Sequence, residues 1–340
     1  MKKGLMLQSV VVAVAVVAVV AFFGLASAQD IKERTIKAAT MNPKGHPIPT
    51  GLEKFAELVE AKTRGKIKVN LFPGGVLGSD AHNVSAIQGG TLEMASMNAG
   101  ILASQVKEFG IFDFPFMFAS GAEGDAVCDG AFGQMMFDKL EPKGIVGLAY
   151  FELGFRHITN SRRLINRLED IAGLKLRVIP NPINVDWVSA LGASPTPLAW
   201  PEVYAALEQK AVDGQENPFT VILANKLYEV QKFLAITNHQ YNPQAVMISK
   251  KFWDTLSGDE KKLLKDSARE AAVFQRKFNR EQMGAALDGL KKHGMQVTEF
   301  SAAEMAKFRE KMKPVIEKHG VVVGPEVVSA LQAETAKLRR

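Results

Sequence analysis

Apolar positions along this chain follow two alternating rhythms. Residues 35–40 (TIKAAT) read as a strand, and residues 66–72 (KIKVNLF) alternate as a half-buried strand does. Between them, residues 51–63 place Leu52, Phe55, Ala56, Leu58 and Val59 at helical spacing. Residues 41–50, with Asn42, Pro43, Gly45, His46 and Pro47, read as loop. Strand, helix and strand in this order predict a β-α-β unit and an α/β fold with a largely parallel sheet. A glycine-rich loop at 74–79, a helix over 81–90 and a strand over 92–97 continue the pattern. Residues 144–151 (GIVGLAYF) form an unbroken apolar run, as a buried strand does.

The second half repeats these rhythms. Residues 174–179 read as a strand and 183–191 as a helix ending at Gly192. Residues 201–209 read as a helix with proline in its first turn, a favourable place for it. Residues 211–216 lead into a short strand. Segments 227–230 and 235–238 lead to the strand-like 245–249. Three long helical patterns close the chain. They are 259–293, expected to break at Gly284 or Gly289, then 302–319, kinked or interrupted at Pro314, and 324–338. Their Lys and Glu read as solvated faces. No internal repeat or low-complexity linker appears, and composition shows no sequential split into two domains.

Charge and hydropathy add an address. Met1-Lys2-Lys3 precedes an uncharged apolar run from Val10 to Phe23, and Ala26-Ser27-Ala28 then supplies a small-x-small cleavage site. This is the pattern of a secretory signal peptide over residues 1–28, which directs the chain to the periplasm. The run also approaches the ~20 residues of a membrane span. The small-residue site favours cleavage over an uncleaved anchor, and no cysteine near the junction marks a lipoprotein. No later segment is apolar enough to span a bilayer. The remaining 312 residues hold 40 basic and 36 acidic side chains, a mild and interspersed +4 that does not indicate nucleic acid. Cys128 is the only cysteine, so neither an internal disulfide nor a cysteine-based metal site is available. Six scattered histidines lack metal-ligand spacing, and the common nucleotide, hydrolase and metalloprotease motifs are absent. No cofactor is expected.

The candidate chemistry lies between Gly154 and Pro218. Arg156 and Arg177 each sit in a short apolar, strand-like context, where an unpaired charge is costly. No nearby carboxylate in the strand pattern supplies a partner, which points to a bound anion. A guanidinium meets a carboxylate through two parallel hydrogen bonds. For Arg177, an ion pair with Asp170 or Glu202 is the structural alternative.

The words Gly154-Phe155-Arg156, Gly173-Leu174-Lys175-Leu176-Arg177-Val178, Glu202-Val203-Tyr204-x-Ala206-Leu207 and Ala211-Val212-Asp213-Gly214-Gln215-Glu216-Asn217-Pro218 occur in order. Phe55-Ala56, Phe114-Pro115-Phe116 and Tyr228-Glu229-Val230-Gln231-Lys232 extend the match over nearly all of the chain after residue 28. In these blocks the chain resembles the DctP-type extracytoplasmic solute-binding proteins of tripartite ATP-independent periplasmic (TRAP) transporters. The resemblance implies a two-lobed periplasmic binding protein fold with discontinuous lobes, a hinge and a long inter-lobe helix. Lobe I is expected over 30–153 plus 244–282, and lobe II over 154–243 plus 283–340. Ligand would sit in the cleft, closure would be a hinge motion, and a membrane permease would be the partner of a monomer.

By the same resemblance, Arg177 pairs with the carboxylate of a small organic acid. Arg156 contacts that carboxylate or another polar group. Asn217 helps to hold the acid, its structural alternative being an Asx turn before Pro218. Trp200 covers an apolar side of the ligand, or else packs in the core. Glu216 binds a hydroxyl or stabilises the hinge. Asn42, His46, Asp80 and Asn98 fall in lobe I regions that touch ligand in the family, His46 being equally readable as a loop-stabilising histidine. This lobe I set suits hydroxyls and favours a sugar acid, a uronate or aldonate, over a C4-dicarboxylate or a 2-oxo or hydroxy acid. A ligand-binding sensor and a secreted hydrolase are the readings from other classes.

Overall fold

The structure, a computed structural model, describes residues 30–339. The expected signal peptide lies outside the described residues. Nine strands form one sheet: β1 (Arg34–Thr40), β2 (Ile67–Phe72), β3 (Met94–Asn98), β4 (Ile145–Asn160), β5 (Lys175–Val178), β6 (Ser194–Pro197), β7 (Gly214–Asn217), β8 (Phe233–Ser249) and β9 (Gln296–Glu299). Their order is β2-β1-β3-β8-β4-β7-β5-β6, with β9 also paired to β8. β1 runs parallel to β2 and β3, and β5 parallel to β6 and β7.

β4 and β8 join these two parallel sets. They have 16 and 17 residues, well beyond the usual ~5–6. They pair antiparallel from Ile145↔Ser249 to Asn160↔Phe233. One end of the pair carries β3, and the other carries β7 and β9. Sequence patterning finds only one end of each strand, 144–151 and 245–249. Gly154 and a run of buried polar residues in β8 interrupt the apolar signal without interrupting the ladder. Arg156 therefore lies within β4 rather than on a strand of its own. The register shifts between Glu152 and Gly154 and again between Arg156 and Ile158. Gly154 has φ +116°, a conformation that a side chain would strain. Such bulges re-aim side chains locally, and these two bracket Arg156.

Apolar clusters cover both faces at both ends of the long pair. Near β1 and β3, one gathers Ile36, Leu52, Phe55, Phe151 and Leu264, and the other Phe109, Phe112, Phe137 and Tyr150. Near β5 and β7, one gathers Leu176, Trp187, Phe308 and Met312, and the other Val203, Leu207, Ile222 and Leu290. The helix Gly258–Lys292 touches both ends, packing on Pro47–Lys62, β4 and Phe219–Ala224. Its close approach to Pro47–Lys62 requires Gly51, where a Cβ would fall 2.5 Å from Gln275 Cγ. Gln275 also grips the bulge in β4: Oε1 accepts from Glu152 N at 2.8 Å and Nε2 donates to Glu152 O at 2.9 Å.

Two further boundaries differ from expectation. The first helix starts at Pro47 rather than after residue 50. His46 Nδ1 caps it by accepting from Ile48 N at 3.1 Å, and Pro47 stands at the position where a missing N–H costs nothing. The helix Gly258–Lys292 is unbroken at Gly284 and Gly289. A Ser257–Glu260 capping box starts it, and packing at both ends outweighs the ~1 kcal/mol a helical glycine costs. The next helix, Ala302–Val323, contains Pro314 and is not interrupted there.

Candidate functional site

A cavity of about 300 Å³ opens where the two parallel strand sets meet the long pair. On the first side it is lined by Met41 and Asn42 after β1, by Ser79 and Asp80 at the start of the helix Asp80–Gly89, and by Ser96 and Asn98 of β3. β4 gives Leu153 and Arg156, and β8 gives Gln244. The second side gives Arg177 of β5, Ile179, Pro180, Trp200 and Asn217 of β7. Ends of parallel strands face the cavity from both sides, the usual place for ligands in open α/β sheets.

Arg156 is buried and already paired with a protein carboxylate, whereas the local strand pattern points to a bound anion. β7 lies beside β4 with Glu216 opposite Ile158. Arg156 donates from Nε and Nη2 to the Glu216 carboxylate, the Nη2–Oε1 distance being 2.8 Å, and from Nη2 to the Glu216 backbone carbonyl. Its Nη1 donates to Asn242 Oδ1 at 2.7 Å. The partner is 60 positions away in sequence, so no local pattern could reveal it. Burial pushes the Glu216 carboxyl up, but Arg156 and the His239 ring outweigh this and hold it down at about 2. His239 sits 3.2 Å from Glu216 Oε2 through Nε2 and 2.8 Å from Thr237 Oγ1 through Nδ1. Burial lowers the pKa of that ring against the pull of Glu216. A neutral ring donating to Glu216 and accepting from Thr237 satisfies both contacts. Glu216 is not among the residues lining the cavity; it backs Arg156.

Arg177 is the contrasting case. It is 3% exposed, and its Nε and Nη2 both donate to Leu198 O, at 3.0 and 2.7 Å. Among the described residues no carboxylate, Asp170 and Glu202 included, forms an ion pair with it. Burial pulls its pKa down to about 10. Its guanidinium carbon lies 5.6 Å from the centre of the Trp200 ring, so the half-buried indole covers one side of the charge. Asn217 Nδ2 donates to Gln215 Oε1 at 2.6 Å, fixing the amide at the cavity wall.

The first side offers polar atoms that lack protein partners. Asp80 Oδ1, Ser96 Oγ and Gln244 Oε1 are inaccessible to solvent and make no hydrogen bond among the described residues. Asp80 as a residue is half-buried, but burial of its carboxyl raises the pKa to about 7, with Arg177 pulling it back. Asn42 lines the cavity and is 6% exposed. Asn98 lines it too, but its Oδ1 accepts from Gly100 N and its Nδ2 donates to Asn242 Oδ1, both at 2.9 Å. The amide thus spans from β3 to the acceptor that Arg156 uses. His46 does not line the cavity. It is 1% exposed, its Nδ1 is the helix cap, and burial lowers its pKa to about 3. The loop-stabilising reading is the one that fits it.

Ser79, Ser96, Ser104 and Gln244 are polar wall residues that sequence reasoning missed. A signal for Gln244 was present: Gln240, Asn242 and Gln244 recur every second residue within an otherwise buried strand, the spacing of one strand face. Ser96, in the short MASMN strand, carried none. Among the described residues, no group of three or more His, Cys, Asp and Glu is placed to hold a metal ion, and no helix is long and apolar enough to cross a membrane.

A two-lobed α/β scaffold with a cavity at its strand ends, walled in part by buried polar atoms that lack partners among the described residues, has the architecture of a solute-binding protein. Comparison with known proteins agrees. A family model described as bacterial extracellular solute-binding protein, family 7 (DctP), matches residues 38–320. The chain belongs to this family, the DctP-type solute-binding proteins of TRAP transporters, which are periplasmic binding proteins and not enzymes. A TRAP periplasmic solute-binding protein from Ochrobactrum anthropi, solved with its C-terminus in the ligand-binding pocket, is 54% identical. The match covers 91% of this chain and 97% of that one, with a TM-score of 0.83. The sugar acid binding protein DctPAm of Advenella mimigardefordensis, solved with galactonate, is 40% identical over 91% of this chain and 99% of its own, with a TM-score of 0.89. The 2,3-diketo-L-gulonate-binding periplasmic protein YiaO of Escherichia coli is 37% identical over 72% of this chain and 75% of its own.

Proposed function

We propose that this protein captures a sugar acid, an aldonate or uronate, in the periplasm and hands it to a TRAP membrane permease. The observation that carries the reading is Arg177, a buried guanidinium at the cavity wall without a carboxylate partner among the described residues. An anionic ligand supplies the missing charge. Arg177 takes the carboxylate, the remaining Nη1 donor of Arg156 and the Asn217 amide complete the cradle, and Trp200 closes one side. Each charge-assisted hydrogen bond contributes ~1.5–3 kcal/mol. Two or three give roughly 3–9 kcal/mol before ordering costs, against ~8 for a micromolar complex. Contacts to hydroxyls must therefore supply the rest, and Asn42, Asp80, Ser96 and Gln244 are positioned to make them. The sugar acid and diketo acid bound by the relatives support this class.

In this reading the lobes are residues 30–153 plus 244–282 and 154–243 plus 283–340. The first two boundaries fall where Glu152 faces Pro243 and Gly154 faces Asn242, at the bulge that Gln275 grips, so the long strand pair serves as the hinge. The protein acts as a monomer after residues 1–28 are removed. The test is a thermal-shift screen against aldonates, uronates, C4-dicarboxylates, 2-oxo acids and neutral sugars, since a ligand that binds only the folded state raises its melting temperature. A shift with aldonates or uronates is expected. A shift with succinate or malate alone overturns the sugar-acid class, and a shift with neutral sugars alone overturns the carboxylate cradle.

A further inference from the structure

The cavity has an unusual charge balance. Among the described residues that line it, only Asp80, Arg156 and Arg177 are ionisable. Arg156 is neutralised by Glu216. Arg177 therefore provides the one cation not paired to a protein carboxylate, and Asp80 provides the one carboxyl on the wall. That carboxyl has a buried oxygen, Oδ1, with no hydrogen-bond donor. Gln244 Oε1, a second buried acceptor on the same cavity, also lacks a donor. A ligand hydroxyl satisfies such acceptors; a ligand carboxylate, which accepts only, does not.

We infer that Asp80 is a specificity-determining residue that restricts the site to acids with a single carboxylate, excluding the aldarates and other dicarboxylates that would set a second carboxylate beside it. This rests on the sugar-acid reading above and adds to it. Like charges brought together out of water repel strongly, so an acid on the wall selects against a second anion more sharply than a neutral acceptor could. Its placement in the first turn of the helix Asp80–Gly89, capped by Ser79, fixes the carboxyl on a rigid element. Burial holds its pKa near 7, so above neutral pH it is largely ionised.

The test titrates purified protein lacking residues 1–28 at pH 8 with two matched pairs, galactonate against galactarate and D-erythronate against meso-tartrate. Within each pair the terminal CH₂OH is replaced by a carboxylate and nothing else changes. Wild-type protein is expected to bind the monoacid of a pair at least roughly tenfold more tightly than the diacid. Asp80→Asn should shrink that ratio at least fivefold. Equal or tighter diacid binding by wild type overturns the filter without reference to any variant. A preference that Asp80→Asn leaves unchanged also overturns it. Failure of wild type to bind any of the four, and D-galacturonate and D-glucuronate as well, overturns the sugar-acid reading, and the filter with it.

Discussion

Arg156 and Arg177 line the same cavity, yet among the described residues only Arg156 has a protein carboxylate as its partner. Glu216 and Asn242 together take four of the five N–H donors of Arg156. Arg177 spends its internal bonds on a single backbone carbonyl. The first arginine is thus held in place, and the second retains a charge to be met from outside.

Breaking the held pair should damage the fold. Glu216→Gln leaves the Arg156 charge buried and unpaired, which costs ~3–5 kcal/mol when one partner of a buried pair is removed. Urea unfolding at pH 7 should show that loss as a lower midpoint with an unchanged slope. Because the Glu216 pKa is depressed, its stabilisation is present above the ordinary 4.5 and is lost as pH falls from there toward 2. The Gln variant should lack that component of acid sensitivity. An unchanged midpoint would show that the pair does not stabilise the fold.

The first wall titrates in the opposite sense. Burial raises Asp80 to about 7, and away from the cavity wall it raises Asp113 to about 7 despite the opposing charge of Arg156. In the unfolded chain both ionise near 3.8, so between about pH 4 and 7 the folded protein binds more protons and stability falls as pH rises. Asp80→Asn should flatten the fall in melting temperature of the ligand-free protein across that window, and leave the part due to Asp113. An identical slope in the variant would contradict a buried, unpartnered carboxyl at Asp80.

His46 and Gln244 should separate fold from recognition. His46→Ala removes a helix cap, at a cost of ~1 kcal/mol. It should lower the melting temperature while the order of preference among ligands stays the same. Gln244→Ala should do the reverse, weakening polyhydroxy acids several-fold more than glycolate, with little effect on stability. A reordered ligand series in His46→Ala would return that residue to the site.

Much of this architecture was legible in the chain because strands and helices of the first and third quarters carry clean apolar periods. Val69 and Leu71 mark β2, and Leu52, Phe55 and Val59 mark its preceding helix. The long strands were half-legible. Their middle residues are polar because they join a buried hydrogen-bond network, as Gln240 with Asp113 and Asn242 with Arg156 do. Periodicity reports burial against apolar neighbours and is silent on burial within a polar network. Arg177 was legible as a buried cation without a local partner. Arg156 gives the same local signal, yet its charge meets Glu216, which arrives only when β7 docks beside β4.

The most direct test of the account is a calorimetric titration of wild type and Arg177→Ala with the acid that gives the largest thermal shift, and with its neutral counterpart lacking the carboxylate. Loss of two charge-assisted hydrogen bonds, ~3–6 kcal/mol, corresponds to roughly a 10²–10⁴-fold weaker complex. The account predicts that loss for the acid in the variant, no measurable binding of the neutral counterpart to either protein, and an apo melting temperature in the variant equal to or above that of wild type. Affinity for the acid within a few-fold of wild type in Arg177→Ala would contradict it.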